Sequence, residues 1–205
     1  MKQVYEKNLW GSNDQQFYSG IGSHDGLIVS PYIEAVSKFL QSFDEAPSIC
    51  DLGCGDFNVG NQLLDLTSGY IAIDIVPELI AYNQNRFRNE KLDFLCLDIA
   101  KDDLPLTDCV ILRQVLQHLS NAEILQILPK LKFYKYLILT EHVPQGDFTP
   151  NIDIISGQGI RLKKNSGVVL EEAPFNFKSV SKKELLRVNL ENDKGCIITW
   201  IYCIF

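Results

Sequence analysis

Short apolar segments alternate with amphipathic ones through the middle of the chain. The apolar segments predict strands at residues 48–52, 70–75, 93–97, 108–112 and 136–140. Between them, apolar residues that recur every three or four positions predict helices at residues 31–42, 58–66, 77–89 and after Ser120. Pro31 is expected in the first turn of its helix. Because helical crossovers join parallel strands, this alternation predicts a parallel sheet covered on both faces.

The two ends of the chain depart from this alternation. Residues 1–30 have no clear period and predict an arm that serves as a lid, and residues 144–178, with scattered Gly and Pro, predict an insertion beside the site. Residues 184–190 and 196–205 flank a turn and predict an antiparallel hairpin. We therefore predict one domain over residues 1–205, with an α/β fold and a doubly wound, mostly parallel seven-stranded sheet that ends in this hairpin.

The composition narrows the range of partners. Nineteen basic residues against 26 acidic ones give a net charge of −7, and no basic block is available to neutralise a run of phosphates. We expect no nucleic-acid partner.

The first residues lack the apolar stretch of a secretory signal, and no apolar run is long enough to span a bilayer, so we expect a cytoplasmic protein without membrane contact. The six cysteines form no C-x-x-C pair and are expected to be reduced thiols, and we assign no metal site.

The segment ICDLGCGDFNVG, residues 49–60, places three glycines directly after a predicted strand. A phosphate loop with this spacing needs Lys and Ser or Thr where Asn61 and Gln62 stand, and a dinucleotide loop needs glycine where Asn58 stands. Asp51 and Asp56 make the loop acidic, which disfavours a pyrophosphate and suits a ligand with an ammonium or sulfonium cation.

Two further carboxylates stand at the ends of the next predicted strands. Asp74 follows Gly55 by nineteen residues, a position suited to accepting hydrogen bonds from ribose hydroxyls. Asp98 is placed to meet an adenine amino group, and Ile75 and Ile99 are placed to flank the ring. The spacing predicts a site for a nucleoside that carries a cationic amino-acid tail.

The segments DLGCGD (51–56), IAID (71–74), CLDI (96–99) and DCVILR (108–113) resemble the successive motifs of class I S-adenosylmethionine-dependent methyltransferases. The resemblance covers roughly residues 31–141 and extends to the terminal hairpin. It implies a Rossmann-like fold with S-adenosylmethionine as the cofactor. The cofactor-binding residues that it implies begin with Asp51, Gly53, Cys54 and Gly55 at the methionine part. They continue with Asp74 at the ribose and with Asp98 and Ile99 at the adenine, where Ile75 is a further candidate. Arg113, at the end of its predicted strand, is placed to hold the carboxylate of the donor or an anionic acceptor, or to form a structural ion pair.

Methyl transfer requires an aligned acceptor and, for a hydroxyl or ammonium, a base that removes a proton. Ligand-facing residues of such sheets follow the carboxyl ends of strands, which directs attention to residues 112–121 and 140–144. His118 and His142 are candidate bases there, and Glu141 is a candidate base or orienting group. Gln114 and Gln117 are candidate acceptor contacts.

Two other regions carry candidate acceptor contacts. In the arm, Tyr18 and His24 are candidates beside the aromatic residues Trp10 and Phe17, because the arm resembles a segment that closes over the donor in many small-molecule methyltransferases. In the insertion, Arg161 begins a small basic cluster with Lys163 and Lys164 that would fit an acidic acceptor. The same cluster also fits a solvated surface.

The combination of YSGIGS (18–23) with CDLGCGDFN (50–58) loosely resembles methyltransferases found with polysaccharide-modifying enzymes. We therefore expect methyl transfer to an oxygen or nitrogen atom of a small-molecule or carbohydrate-linked acceptor. The sequence leaves open a nicotinamide-dependent oxidoreductase on a similar fold and a catalytically inactive methyltransferase-like binding subunit. It lacks the N-P-P-Y motif, which lowers the expectation of DNA adenine or protein glutamine methylation.

Overall fold

The computed structural model describes residues 2–7, 9–11, 16–191 and 194–205. Seven strands form one sheet in the order β3-β2-β1-β4-β5-β7-β6. In chain order the strands are β1 (Ser48–Leu52), β2 (Gly69–Asp74), β3 (Leu92–Cys96), β4 (Cys109–Arg113), β5 (Tyr136–Val143), β6 (Ser181–Asn189) and β7 (Cys196–Cys203).

The sheet confirms the predicted fold class. Strands β1 to β5 pair in parallel, β7 pairs antiparallel with β5 along residues 136–143, and β6 pairs antiparallel with β7. Six strands therefore run in one direction and β7 runs in the other. The chain order reverses between β1 and β4, which opens a crevice at the carboxyl ends of these strands, where ligands of open α/β sheets bind.

The described residues form four α-helices, and two of the helical predictions need correction. The helices are α1 (Lys2–Glu6), α2 (Gly26–Leu40), α3 (Pro77–Arg86) and α4 (Asn121–Leu131). The prediction that Pro31 lies in a first turn is wrong, because the Asp25 side chain accepts a hydrogen bond from Leu27 N at 2.9 Å and starts α2 five residues earlier. Pro31 offers no N–H to the Leu27 carbonyl, and Leu27 is 80% exposed, so water can satisfy that group.

The second correction concerns the segment after the glycine loop, predicted as a helix over residues 58–66. It forms a 3₁₀-helix over Gly60–Leu66, with no side-chain cap at its start. A Cβ at Gly60 would lie 2.4 Å from the ring of Phe57, so this turn is packed tightly onto a buried aromatic side chain. We attribute the narrower turn to that packing.

The core lies on both faces of the sheet. Successive strand residues point to opposite faces, so Cys50 and Leu52 pack with the α4 side while Ile49 packs with the α2 side. On β4, Val110 and Leu112 face α4. Both faces are covered, as predicted from the nearly continuous apolar strands. Within the described part of the chain, no helix combines the length and the apolar character needed to cross a bilayer.

Candidate active site

A cavity of about 470 Å³ lies at the carboxyl ends of the central strands. Its floor is the glycine loop after β1. Its walls come from the ends of β2 and β4, from the residues after β3, from the arm and from the insertion. Five acidic side chains line it, namely Asp51 near the end of β1, Asp56 in the loop, Asp74 at the end of β2, Asp98 and Glu123.

The glycine loop turns sharply beneath this cavity. Gly53 and Cys54 both donate their backbone N–H to the Ile73 carbonyl at 2.8 Å. Gly53 has φ of 85°, and a Cβ there would lie 2.5 Å from Val115 Cγ2. Gly55 has φ of 56°, and its Cβ would lie 2.3 Å from Ser19 Oγ. Both positions therefore need glycine for backbone conformation and for space.

Asp74 is fixed at the end of β2 by two backbone donors. Gly55 N donates to its Oδ2 at 3.2 Å and Val76 N donates to its Oδ1 at 3.1 Å. Burial raises the pKa of Asp74 to about 6. Asp51 accepts a hydrogen bond from Tyr70 Oη at 2.9 Å, and burial likewise raises its pKa to about 6. Both carboxylates keep accepting capacity, because each ionised oxygen can take more than one hydrogen bond.

The part of the cavity beside the ends of β2 and β3 has a more apolar lining than the part above the glycine loop. Ile75, Leu97 and Ile99 line it, and Ile75 is 45% exposed. Asp98 stands beside them and accepts hydrogen bonds from Ala100 N at 3.0 Å and from Lys101 Nζ at 2.8 Å. Burial opposes ionisation of Asp98, but these donors outweigh it and lower its pKa.

The arm is fastened to the glycine loop and to the end of β4. Ser19 N donates to Asp56 Oδ2 at 2.9 Å, and Asn58 Nδ2 donates to Ser23 O at 2.7 Å. Arg113 donates to Gly22 O at 2.5 Å and to Ser23 Oγ at 3.2 Å. Residues 19–23 line the cavity, so this part of the arm forms one of its walls.

His118 lies on the cavity wall with both ring nitrogens engaged. Its Nδ1 lies 3.3 Å from Gly159 O and its Nε2 lies 3.2 Å from Gln117 Nε2. A carbonyl can only accept, so we assign the proton to Nδ1 and the acceptor role to Nε2. The ring packs on Trp10 at 5.1 Å between centroids, and burial lowers the pKa of His118 to about 4. His118 therefore joins the arm to the insertion as a neutral imidazole.

His142 also lines the cavity, and one of its ring nitrogens has no hydrogen-bond partner among the described residues. Its Nε2 lies 2.6 Å from Lys194 O, so Nε2 carries the proton and Nδ1 keeps a free lone pair. Burial lowers the pKa of His142 and keeps the ring neutral at pH 7. Gln117 connects the two histidines, since its Oε1 accepts from His142 N at 3.1 Å.

Glu141 lies behind the wall and does not line the cavity. It is fully buried, and its Oε1 accepts from Leu116 N at 3.1 Å. Its Oε2 has no hydrogen-bond partner among the described residues. Burial raises the pKa of Glu141 to about 8, so the group is mostly protonated at pH 7.

Gln114 follows β4 and points a free amide group at the arm. Its φ is 57°, a left-handed conformation that few residues other than glycine adopt. Its backbone N–H donates to Thr140 O at 2.7 Å, while its Nε2 is buried and has no partner among the described residues. A Cβ at Gly22 would lie 2.8 Å from that nitrogen, so the amide packs against the arm.

Three residues predicted to contact the acceptor lie outside the cavity lining. Tyr18 stacks on His24 at 4.6 Å between centroids, and His24 Nε2 lies 2.6 Å from Asp56 Oδ2. Arg161 is buried, and its guanidinium donates to the carbonyls of Leu116, Gln117 and Leu119. The residues that line the cavity are thus the predicted cofactor residues together with Gln114, Gln117, His118 and His142. The predicted residues that do not line it are Tyr18, His24, Arg161 and Glu141.

Several cavity residues were not predicted from the sequence. Glu123 closes the capping box of α4 with Ser120, and Ser156 of the insertion donates to the same carboxylate. The Ser-x-x-Glu pattern at 120–123 would have predicted the cap. No sequence signal places Ser156 beside it, because the two residues are 33 positions apart and are separated by most of α4 and all of β5.

A family model and one curated protein match the central part of the chain. Residues 50–135 match the family model described as a methyltransferase domain. Malonyl-[acyl-carrier protein] O-methyltransferase of Acetivibrio thermocellus is 40% identical over 58 residues, which are 27% of this chain, and the match spans only 20% of that protein.

Solved structures share the whole fold. N-methyltransferase NodS of Bradyrhizobium japonicum, in complex with S-adenosyl-L-homocysteine, aligns with a TM-score of 0.69 at 14% identity, over 98% of this chain and 97% of that one. Human N-acetylserotonin methyltransferase in complex with SAM aligns with a TM-score of 0.55 at 16% identity, over 97% of this chain and 61% of that one. Residues 50–135 therefore match a methyltransferase domain, and the chain shares its fold with solved methyltransferases.

Proposed function

We propose that the chain binds S-adenosylmethionine in this cavity and transfers its methyl group to an oxygen or nitrogen atom of a small-molecule or carbohydrate-linked acceptor. The observation that carries the proposal is the position of Asp74. Its carboxylate lines the cavity at the end of β2 and is held by Gly55 N and Val76 N. Asp74 would accept hydrogen bonds from the two ribose hydroxyls.

The remaining walls fit the other parts of the cofactor. Ile75, Leu97 and Ile99 would hold the adenine ring beside Asp98. The acidic surface around Asp51 suits the positive charge of the sulfonium and ammonium groups. The cavity volume of about 470 Å³ is within the range of small-molecule sites.

When bound, S-adenosylmethionine supplies an activated methyl group on a positively charged sulfur. The protein must then align the acceptor and take up its proton. We assign proton uptake to Nδ1 of His142, because the hydrogen bond from Nε2 to Lys194 O fixes the proton on the other nitrogen. His118 has no free lone pair of this kind and instead holds the insertion and Trp10 in place.

Calorimetry with S-adenosylhomocysteine tests the cofactor assignment. We expect micromolar binding, none of NADH, and a loss of at least about tenfold in affinity for Asp74→Asn. Asp65→Asn is the matched control, because Asp65 is exposed and outside the cavity. Preference for NADH, or unchanged affinity of the Asp74 variant, would contradict the proposal. Transfer of labelled methyl from S-adenosylmethionine to a cell extract then separates an enzyme from a binding subunit.

A further inference from the structure

The charges along the cavity are strongly unequal. Five carboxyl groups line it, and Arg113 is the one cationic side chain among the described residues that do so. That guanidinium donates to Gly22 O and Ser23 Oγ, which are both uncharged, and lies 4.8 Å from the centre of the Tyr32 ring, while its Nε is buried without a hydrogen-bond partner among the described residues. Two neutral imidazoles and two glutamine amides make up the polar wall near the end of β4.

The basic cluster of the insertion does not change this balance. Arg161 donates to four backbone carbonyls and to Asn121 Oδ1, and it does not line the cavity. Lys164 Nζ donates to Asp153 O at 2.9 Å, and Lys163 is exposed outside the cavity. These three side chains therefore offer no counter-charge to a molecule bound inside.

An anion bound in the cavity would lose its water and would face five carboxyl groups, with Arg113 as the one cationic side chain among the described residues of the lining. Burying a charged group is costly, and the carboxylates of the floor add repulsion that a single guanidinium does not offset. An alcohol, a phenol or an amine avoids both costs. We propose, on the basis of the proposed methyl transfer, that the acceptor carries no negative charge and that Gln114 orients it by hydrogen bonding through its side-chain amide.

Two independent features of Gln114 support its part in this assignment. Its Nε2 is buried at the cavity and has no hydrogen-bond partner among the described residues, a state that costs free energy in the absence of a ligand. Its backbone is held in the left-handed region, and strained conformations of this kind concentrate at functional sites. Gln114 therefore presents a polar, uncharged group at a fixed place on the wall.

The test separates a cell extract on ion exchangers at pH 7 into acidic, neutral and basic pools before each pool is offered as acceptor with labelled S-adenosylmethionine. We expect label to enter the neutral or basic pool. Gln114→Leu should lower that transfer at least about tenfold while the affinity for S-adenosylhomocysteine stays within about twofold of wild type. Gln126→Leu is the matched control, since Gln126 is an exposed residue of α4.

Each other outcome contradicts a different statement. Label that enters mainly the acidic pool overturns the inference about acceptor charge. A Gln114→Leu variant that transfers as well as wild type, or that loses S-adenosylhomocysteine binding, overturns the role of Gln114 as an acceptor contact. The absence of label from every pool, with intact S-adenosylhomocysteine binding, contradicts the proposed transfer itself and removes the basis of this inference.

Discussion

Ser19 and Asp56 hold each other through two reciprocal hydrogen bonds. Ser19 N donates to Asp56 Oδ2 at 2.9 Å, and Asp56 N donates to Ser19 Oγ at 2.7 Å. Asp56 is 1% exposed, so the pair is sheltered from water. It joins the arm to the loop that forms the cavity floor, and we predict that these bonds open during ligand exchange.

Ser19→Ala should accelerate the release of S-adenosylhomocysteine. The variant keeps the backbone donor of Ser19 but leaves Asp56 N without its partner. The attachment of the arm to the glycine loop is therefore weaker by one hydrogen bond. We expect the dissociation rate in stopped-flow fluorescence to rise roughly 2- to 10-fold. Ser68→Ala, at an exposed position outside the cavity, should behave as wild type. Equal rates for all three proteins would show that the arm does not limit release.

Gly53→Ala should lose ligand binding and stability together. Its Cβ would lie 2.5 Å from Val115 Cγ2, and the φ of 85° is unfavourable for alanine. We expect a loss of roughly 1–3 kcal/mol in the free energy of unfolding, measured by urea denaturation. Gly69→Ala is the control, because a Cβ there meets no atom within 4 Å. Equal free energies of unfolding for the two variants would show that the fold does not require glycine at position 53.

The two histidines should respond differently to substitution. His142→Ala should lower methyl transfer by about 10²-fold or more, with unchanged affinity for S-adenosylhomocysteine, because it removes the proton acceptor. His118→Ala should retain transfer within roughly tenfold and lower the melting temperature, because the ring bonds Gly159 and packs on Trp10. If His118→Ala abolishes transfer and His142→Ala does not, the assigned roles are reversed. If neither variant affects transfer, a histidine base is not required.

Glu141 should make the protein less stable as the pH rises. Its pKa is about 8 in the folded chain against an ordinary value of 4.5, so between these values the folded state holds a proton that the unfolded state has released. The contribution to the free energy of unfolding therefore falls with increasing pH, by up to about 1.4 kcal/mol per unit, and is lost above pH 8. Glu141→Gln should flatten this slope in urea titrations from pH 5 to pH 8. An unchanged slope would show that Glu141 is ionised throughout.

The predictable part of the structure was the part that local pattern determines. The strand that ends at Asp74 and the loop at Gly53 and Gly55 could be predicted because apolar runs and glycine spacing are properties of neighbouring residues. The sequence pattern predicts that α2 starts at Pro31, because proline is common in a first turn. The hydrogen bond from Leu27 N to the Asp25 side chain instead determines where the helix begins.

The roles of the remaining site residues depend on contacts between distant segments. Asn58 was noticed as a missing glycine, but its bond to Ser23 O joins segments 35 residues apart. The sequence places Arg161 in a small basic cluster that fits a solvated surface. In the structure Arg161 is buried, because its guanidinium donates to carbonyls of residues more than forty positions away. Such pairings depend on how irregular segments fold over the sheet, and a single sequence carries no local signal for them.

A crystal structure of the chain grown with S-adenosylhomocysteine tests most directly whether the cofactor binds at Asp74. We predict electron density in the cavity with the ribose hydroxyls within hydrogen-bond distance of Asp74 and the adenine between Ile75 and Ile99. A ligand bound elsewhere, or a cavity without ligand at saturating concentration, would contradict it.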